Sequence, residues 1–416
     1  MKKRRVVVTG IGTVNALGNN VREFWENAKA GKIGIAPITC FDTSNYRVKV
    51  AAEVKNLEPK NYLPVKIVRR TERFVQLGLI AAKEAIEDSG ICIDAEDCYK
   101  IGVCVGSAIG GLSRISRETI ILNQYGPDKV NPYTVPLVIS NMLSSNIAML
   151  NGLRGKCHGL VSACATGTDS VGEAFATIVS GQCDVMVAGG ADSIVCPQGI
   201  SSFQQLSALT TETNPVRASI PFDKDRRGFV MGEGAGILVI EELEHAKKRN
   251  APIYGEILGY ASTNDAYHIT MPREDGESAA KAMEVALVNA GIDSEQVDYI
   301  NAHGTSTYFN DLYETFAMKK VFAENAYNIA INSTKSLIGH TLAAAGAIEA
   351  IVCVLSMKDS YVHVTAGLKN IDENCDLNFV KECGKEHEIE YAMSNSFGFG
   401  GHNSSLVIAK YSEKVS

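Results

Sequence analysis

Glu84-Ala85-Ile86-Glu87-Asp88-Ser89-Gly90-Ile91 is echoed in the second half of the chain by Val285-Ala286-Leu287-Val288-Asn289-Ala290-Gly291-Ile292. In both copies a helical run stops at a glycine, the residue that most readily takes the left-handed conformation of a helix end. A strand and a glycine turn follow each copy, Cys104-Val105-Gly106 in the first half and Ala302-His303-Gly304 in the second. Each half then has a helix rich in small residues, opening at Cys164-Ala165-Thr166-Gly167-Thr168 and at His340-Thr341-Leu342-Ala343-Ala344. Glu173-Ala174 follows nine residues after Cys164, and Glu349-Ala350 nine after His340. Several matches in one order mark a duplicated unit, in which Cys164 and His340 are expected to open equivalent helices.

The rest of the chain alternates short β-type runs with longer helical patterns, which is the signature of an α/β fold. Val6-Val7-Val8-Thr9 reads as a buried strand ending at Gly10, and Val185 to Ala188 as another ending at Gly189-Gly190. Phe74, Leu77, Ala81, Ala85 and Ile86 form one stripe of a helix over Phe74 to Ser89, followed by a strand over Ile101 to Val105. The joint between the halves falls in the charged segment Glu241 to Pro252, giving an N-terminal half of residues 1–250 and a C-terminal half of 251–416.

Composition narrows the class. With 416 residues, 45% hydrophobic and 21% charged, the chain can bury a large core. No apolar run approaches the roughly 18 residues that would span a bilayer. The basic start Met1-Lys2-Lys3-Arg4-Arg5 leads into an apolar stretch broken at Gly10 and Gly12, too short for a signal peptide, so a cytoplasmic protein is expected. A net charge of -7 argues against nucleic acid, although a local basic patch could still steer an acidic protein partner. Eleven cysteines without a C-x-x-C pair suggest neither a disulfide framework nor zinc, and most are expected to be small buried hydrophobes.

Cys164 departs from that expectation. It sits in Val161-Ser162-Ala163-Cys164-Ala165-Thr166-Gly167, where an apolar run turns into a helix. A thiol there lies at the positive end of a helix, which should lower its pKa, and beside N–H groups free to hold an oxyanion. His303, in Asn301-Ala302-His303-Gly304-Thr305, and His340, in Lys335-Ser336-Leu337-Ile338-Gly339-His340, both occupy glycine-flanked turns at element ends. His158, His245, His268, His363 and His387 lack such framing and read as surface or structural, and His402 lies in the glycine-rich terminal turn. Lys335 and Glu349 bracket His340, and a buried lysine needs a carboxylate partner. Ser394 to Asn403 is glycine-rich but lacks the G-K-[ST] of a P-loop. A cysteine, two histidines and no metal spacing describe thiol-based acyl transfer.

These motifs closely resemble the elongating β-ketoacyl-[acyl carrier protein] synthases. The resemblance runs from Val6-Val7-Val8-Thr9-Gly10 to Phe397-Gly398-Phe399-Gly400-Gly401. It is carried by Ser162-Ala163-Cys164-Ala165-Thr166-Gly167, Gly228-Phe229-Val230-Met231-Gly232-Glu233-Gly234, Asn301-Ala302-His303-Gly304-Thr305-Ser306-Thr307 and Lys335-Ser336-Leu337-Ile338-Gly339-His340-Thr341. It implies a thiolase-like five-layer αβαβα sandwich of two duplicated halves, as a homodimer. It also implies that Cys164 takes the acyl group and that the N–H groups of Cys164 and Phe399 form the oxyanion hole. His303 and His340 would hold the enolate left when a malonyl carrier protein loses carbon dioxide, with Lys335, paired to Glu349, orienting them. No cofactor is required, because phosphopantetheine arrives on the acyl carrier protein. Thr270, Thr305 and Thr307 match pantetheine contacts, and Phe399 a gate over the thiol. Phe203 and Ile109 match the acyl-pocket lining, Ile109 reaching in from the partner subunit. Lys66, Arg69 and Arg70 match a basic patch for the acidic carrier, and Asn301, Glu349, Ser394 and Asn395 a structural monovalent cation site.

Four residues depart from the pattern. Ile220 stands in place of an arginine and Arg227 of an aspartate, two changes expected to be linked through a lost charge interaction. Tyr308 replaces a proline and Leu312 a lysine, which should loosen the loop after His303. Rival readings are a polyketide ketosynthase subunit, a biosynthetic thiolase, an initiating synthase and a non-catalytic partner subunit. A thiolase would need a second cysteine between Gly398 and Gly401, an initiating synthase a Cys-His-Asn set, and a non-catalytic subunit would lack Cys164.

Overall fold

In the computed structural model residues 4–413 are described, so Met1, Lys2 and Lys3 of the basic start lie outside them. The first half supplies five strands to the main sheet: β1 (Val6–Val14), β2 (Ile101–Gly106), β3 (Cys157–His158), β4 (Val185–Asp192) and β5 (Gly234–Glu242). The second builds β6 (Gly255–Asn264), β7 (Tyr299–Asn301), β8 (Ala330–Asn332), β9 (Tyr391–Gly398) and β10 (His402–Ala409). Strand order is β3-β2-β4-β5-β1 in one half and β8-β7-β9-β10-β6 in the other. The directions agree pair by pair. β2 runs parallel to β3 and β4, as β7 does to β8 and β9, and the last two strands of each half are antiparallel. The two sheets join edge to edge only where Val6–Val8 pairs with Gly255–Ile257.

Four helices complete the duplication: α1 (Arg73–Ser89), α2 (Thr166–Val179), α3 (Glu277–Ala290) and α4 (Ala345–Asp359). α1 covers the outer face of the first sheet and α3 that of the second, while α2 and α4 pack on each other between the sheets. The result is the five-layer sandwich. Position explains composition: α4 is buried on every side from Ala345 to Met357, so it carries no polar face. Val171, Ala174 and Ile178 of α2 meet Ala347, Ile348 and Ile351 of α4 in the largest apolar cluster.

Two strands run longer than their glycines suggested. β1 continues through Gly10 and Gly12 to Val14, and β4 through Gly189 and Gly190 to Asp192. The glycines mark close approach rather than strand ends: a Cβ on Gly12 would collide with the carbonyl of Ala81 in α1, and one on Gly10 with that of Ala85. Gly12→Ala is therefore expected to cost about 3 kcal/mol or more, read from the shift of a urea unfolding curve at constant slope.

The helix–glycine echo holds, since α1 ends at Gly90 and α3 at Gly291, both left-handed. The second echo is displaced. The turn before α2 is Ala163–Ala165, that before α4 is Leu342–Ala344, and Ala163 and Leu342 both have φ of 51°. Cys164 thus corresponds to Ala343, and His340 lies three residues ahead of that position. The nine-residue spacing to each glutamate misled because small residues repeat along both helices and several registers score alike.

Candidate active site

Cys164 is the middle residue of the turn before α2, His303 follows β7, and His340 precedes the turn into α4. Phe399 tips the β9–β10 hairpin, whose reversal is made by Gly400 (φ 85°) and Gly401 (φ 76°), conformations that other residues rarely adopt. All four line one cavity, together with Phe203, Thr270, Thr305 and Thr307. Duplication produces this convergence, because the turn of each half faces the strand ends of the other.

The histidines are buried and at right angles, with ring centroids 5.3 Å apart and planes at 86°. Phe229 packs edge-on against His340 at 5.2 Å and Phe397 against His303 at 5.7 Å. The Leu342 N–H donates to Nδ1 of His340 at 3.3 Å, which assigns the ring proton to Nε2, and that Nε2–H has no partner among the described residues. Nδ1 of His303 is also unpartnered. Burial, reinforced by the positive charge of Lys335, drives both imidazoles well below their ordinary pKa, so both are neutral at pH 7. In a Cys164→Gln variant, the rate of malonyl-thioester decarboxylation should consequently show no acid limb near pH 6.5. The pH–rate profile between 5 and 8 checks this.

Lys335 is 1% exposed and its Nζ donates to Oε1 of Glu349, itself 1% exposed. Burial holds the Glu349 carboxyl above its usual range while Lys335 pulls it down. The Cys164 thiol departs from expectation: burial pushes it up to about 11, against the pull of Lys335 and of the N–H groups of Phe399 and Cys164. Desolvation of a thiolate outweighs the helix end here. The same two N–H groups bear on the sulfur and suit an oxyanion formed beside it.

Thr305 and Thr307 hydroxyls lie 2.8 Å apart on the cavity wall. Phe203 stacks on Phe399 with centroids 6.2 Å apart. Ile109 packs with Cys164 and Phe203 against an apolar cluster of its own chain, including Ile200, Phe229 and Leu342. Among the described residues Ile109 and Cys164 thus pack against the same cluster. Lys66, Arg69 and Arg70 are exposed around a one-turn helix, and Arg70 lies over the Tyr133 ring at 5.5 Å. Of the four residues matched to a cation site, Asn301 Oδ1, Glu349 Oε2 and Ser394 Oγ are buried oxygens without a partner. Asn395 Oδ1 already accepts from Ser405 at 2.8 Å. Three orphaned oxygens fit a hard monovalent cation.

The departures resolve differently. Ile220 is buried and its N–H donates to Ser306 Oγ at 3.0 Å, whereas Arg227 is exposed. The buried cation here is Arg226, bonded to Asp372 at 2.7 Å and to the carbonyls of Thr307 at 3.3 Å and Tyr308 at 2.9 Å. The Tyr308 ring lies over its guanidinium at 4.9 Å, and Leu312 packs into the second half's core. The loop after His303 is fastened rather than loosened. Tyr308→Ala should raise the KM for a pantetheine thioester about threefold at nearly constant kcat, as a ~0.5–1 kcal/mol cation–π contact implies.

Sequence reading missed two groups. Glu314 accepts the N–H groups of His303 and Gly304, both at 2.8 Å, and Asp192 binds the turn after His340. Neither stands in a recognisable motif: Glu314 reaches back from the following helix to the turn after β7, and Asp192 contacts backbone far away in the chain. Of the cysteines, Cys104, Cys183, Cys196, Cys353 and Cys375 are buried, fewer than expected, while Cys40, Cys92, Cys157 and Cys383 are exposed. His363 is buried and bonded to Thr334 at 3.1 Å, a structural role.

Comparison with known proteins agrees with this geometry. Residues 3–246 match the family described as "Beta-ketoacyl synthase, N-terminal domain" and residues 254–369 its C-terminal domain. The chain is 46% identical over 411 residues to a 3-oxoacyl-[acyl-carrier-protein] synthase 2 of Coxiella burnetii, covering 99% of each. It is 42% identical over 412 residues to the protein of that name from Synechocystis, again covering 99% of each. Among solved structures, a ketosynthase in complex with a type II polyketide acyl-carrier protein superimposes with a TM-score of 0.91 at 34% identity, covering 99% of this chain and 100% of that one. A β-ketoacyl synthase from Burkholderia phymatum gives 0.90 at 32%, covering 98% and 100%. The duplicated sandwich, the Cys-His-His cavity and the full-length likeness together place this chain in the β-ketoacyl synthase family.

Proposed function

We propose that the chain is a 3-oxoacyl-[acyl carrier protein] synthase that extends an acyl group on Cys164 by two carbons from a malonyl carrier protein. The observation that carries this reading is the meeting, in one apolar-walled cavity, of a thiol, two N–H groups aimed at it and two neutral imidazoles. In the first stage the Cys164 sulfur attacks the carrier thioester, and the N–H groups of Cys164 and Phe399 hold the oxyanion. The acyl group moves to sulfur, and the thiol proton ends on the departing carrier thiol. In the second stage the malonyl carboxylate leaves as carbon dioxide. The negative charge then moves onto the thioester oxygen, where Nε2–H of His340 and the ring of His303 stabilise it without giving up a proton. The resulting carbon nucleophile attacks the Cys164 thioester and expels the thiolate, which takes up one proton from solvent.

Thr270, Thr305 and Thr307 hold the pantetheine arm on this reading, and Phe399 covers the thiol between stages. Asn301, Glu349 and Ser394, with Asn395, would hold a monovalent cation, which would offset the negative charge of the Glu349 carboxylate. The carrier protein, acidic and phosphopantetheinylated, meets the cationic group Lys66, Arg69 and Arg70. Two copies of the chain associate through an exposed apolar surface that includes Ile120, Tyr125, Tyr133, Val135, Met149 and Val161. The reaction belongs in the reducing cytoplasm, which keeps Cys164 a thiol; among the described residues no helix is long and apolar enough to cross a membrane.

The test is mass spectrometry after mixing with a series of acyl carrier proteins. A single acyl adduct on the Cys164 peptide, released as a product longer by two carbons when malonyl carrier is added, supports the reading; an adduct elsewhere sinks it. The likeness to polyketide ketosynthases favours a second reading, extension of a polyketide chain. A poly-β-keto product from the same incubation would select it.

A further inference from the structure

β4 and β9 are duplicate strands, and each ends against the turn of the opposite half. β9 ends at Gly398, where a Cβ would lie 3.1 Å from the Cys164 nitrogen. β4 ends at Asp192, whose Oδ2 accepts the Ala343 N–H at 2.9 Å. Cys164 and Ala343 are the middle residues of the duplicated turns. In the first half, then, the N–H at this position faces the reacting sulfur. In the second half a carboxylate of the protein itself fills it.

Asp192 is fully buried, and no lysine, arginine or histidine forms an ion pair with it among the described residues. It is held by neutral donors instead: Ser107 Oγ at 2.6 Å, Ala108 N–H at 3.1 Å and Ala343 N–H. Burial pushes its pKa up to about 6, against the pull of these hydrogen bonds. A buried carboxylate without a cation is costly, and it persists only where its hydrogen bonds fix something. Both of its arms lead to the apolar cluster against which Cys164 packs. Ser107 also accepts the Gly110 N–H at 3.0 Å, closing the turn that carries Ile109, and Ile109 packs against that same cluster. Leu342, next to Ala343, gives its N–H to His340 Nδ1 and packs in the same apolar cluster.

We propose that Asp192 is a positioning residue for the condensation, an internal anion that fills the second half's copy of the N–H cradle and ties the acyl-chamber wall to the turn aiming His340. It rests on the reading of Cys164 and His340 given above. Asp192 touches no substrate. Its charge also bears on the Cys164 sulfur, against that of Lys335, while Asp265, His303 and His340 line the same cavity. Removing that negative charge leaves Lys335 unopposed and makes the thiolate easier to form.

Asp192→Asn keeps the shape, removes the charge and puts an amide nitrogen where an acceptor was needed. Two measurements on the full chain decide. Alkylation of the Cys164 peptide by iodoacetamide, followed by mass across pH 7–11, should shift its midpoint down by about half a unit or more. Decarboxylation of malonyl carrier protein in a Cys164→Gln background should lose roughly tenfold or more in kcat, with KM within about threefold. An unshifted midpoint, even with a lower kcat, would leave a merely structural residue and overturn the proposal, and so would an unchanged kcat. If Asp192→Asn does not fold, Ser107→Ala removes one hydrogen bond and keeps the charge. It should lower kcat several-fold without moving the midpoint, and full activity there overturns the proposal. Condensation by Cys164→Ala would instead refute the underlying reading, while leaving the effect of Asp192 on His340 to the decarboxylation assay.

Discussion

His303→Ala is expected to lower malonyl decarboxylation by about 10²–10³-fold while acyl transfer to Cys164 stays within about threefold of the unaltered enzyme. The split follows from geometry. The first stage develops its negative charge beside the sulfur, where the N–H groups of Cys164 and Phe399 point. The second develops it on the thioester oxygen of a different substrate, where the rings of His303 and His340 are the available donors. A neutral imidazole suits that task because it donates a hydrogen bond and retains its proton, and both rings are kept neutral by burial and by Lys335. His340→Ala should lose at least as much. Removing that ring also takes away the acceptor of the Leu342 N–H and loosens the turn that Asp192 holds. Two assays check the pair: intact-protein mass after a brief mix with acyl carrier, and carbon dioxide release from malonyl carrier in a Cys164→Gln background. Equal loss in both assays would mean that the histidines activate the thiol, and the division of labour would be wrong.

How much of this was legible beforehand depended on whether the signal was local. The duplicated helix ends at Gly90 and Gly291 were readable because a left-handed glycine stop is a property of a few neighbouring residues. The equivalence of Cys164 with Ala343 was not. Its marker is a backbone angle shared by Ala163 and Leu342, which leaves no trace in residue type. Glycines within β1 and β4 read as strand ends, since their cause is a helix or loop packed close from elsewhere in the chain. Cys164, His303 and His340 stood out through their framing in the sequence, whereas Glu314 and Asp192 act on backbone N–H groups of other segments. The sign of the thiol's shift failed for a related reason: the helix end is visible in the sequence, but the depth of burial that outweighs it is a property of the whole sandwich.

Lys335→Met should cost about 3–5 kcal/mol of stability, because it leaves Glu349 buried without its cation. It should also lower condensation by roughly 10²-fold, and the two effects are separable. Glu349→Gln added to Lys335→Met removes the stranded charge and should restore most of the unfolding midpoint. The same double variant cannot restore the electrostatic pressure on the histidines, since Lys335 is the group that reinforces burial in keeping both rings neutral. The direction of the pH effect follows. With the lysine charge gone, the folded-state pKa of each imidazole rises from far below toward its ordinary value, and protonation begins at higher pH. Malonyl decarboxylation by the double variant, in the Cys164→Gln background, should therefore acquire an acid limb that the parent lacks over the same range. If the double variant regained both stability and a flat profile, Lys335 would be no more than a structural partner of Glu349. If it regained stability alone, the lysine's charge would be needed beside burial to keep the two donors neutral.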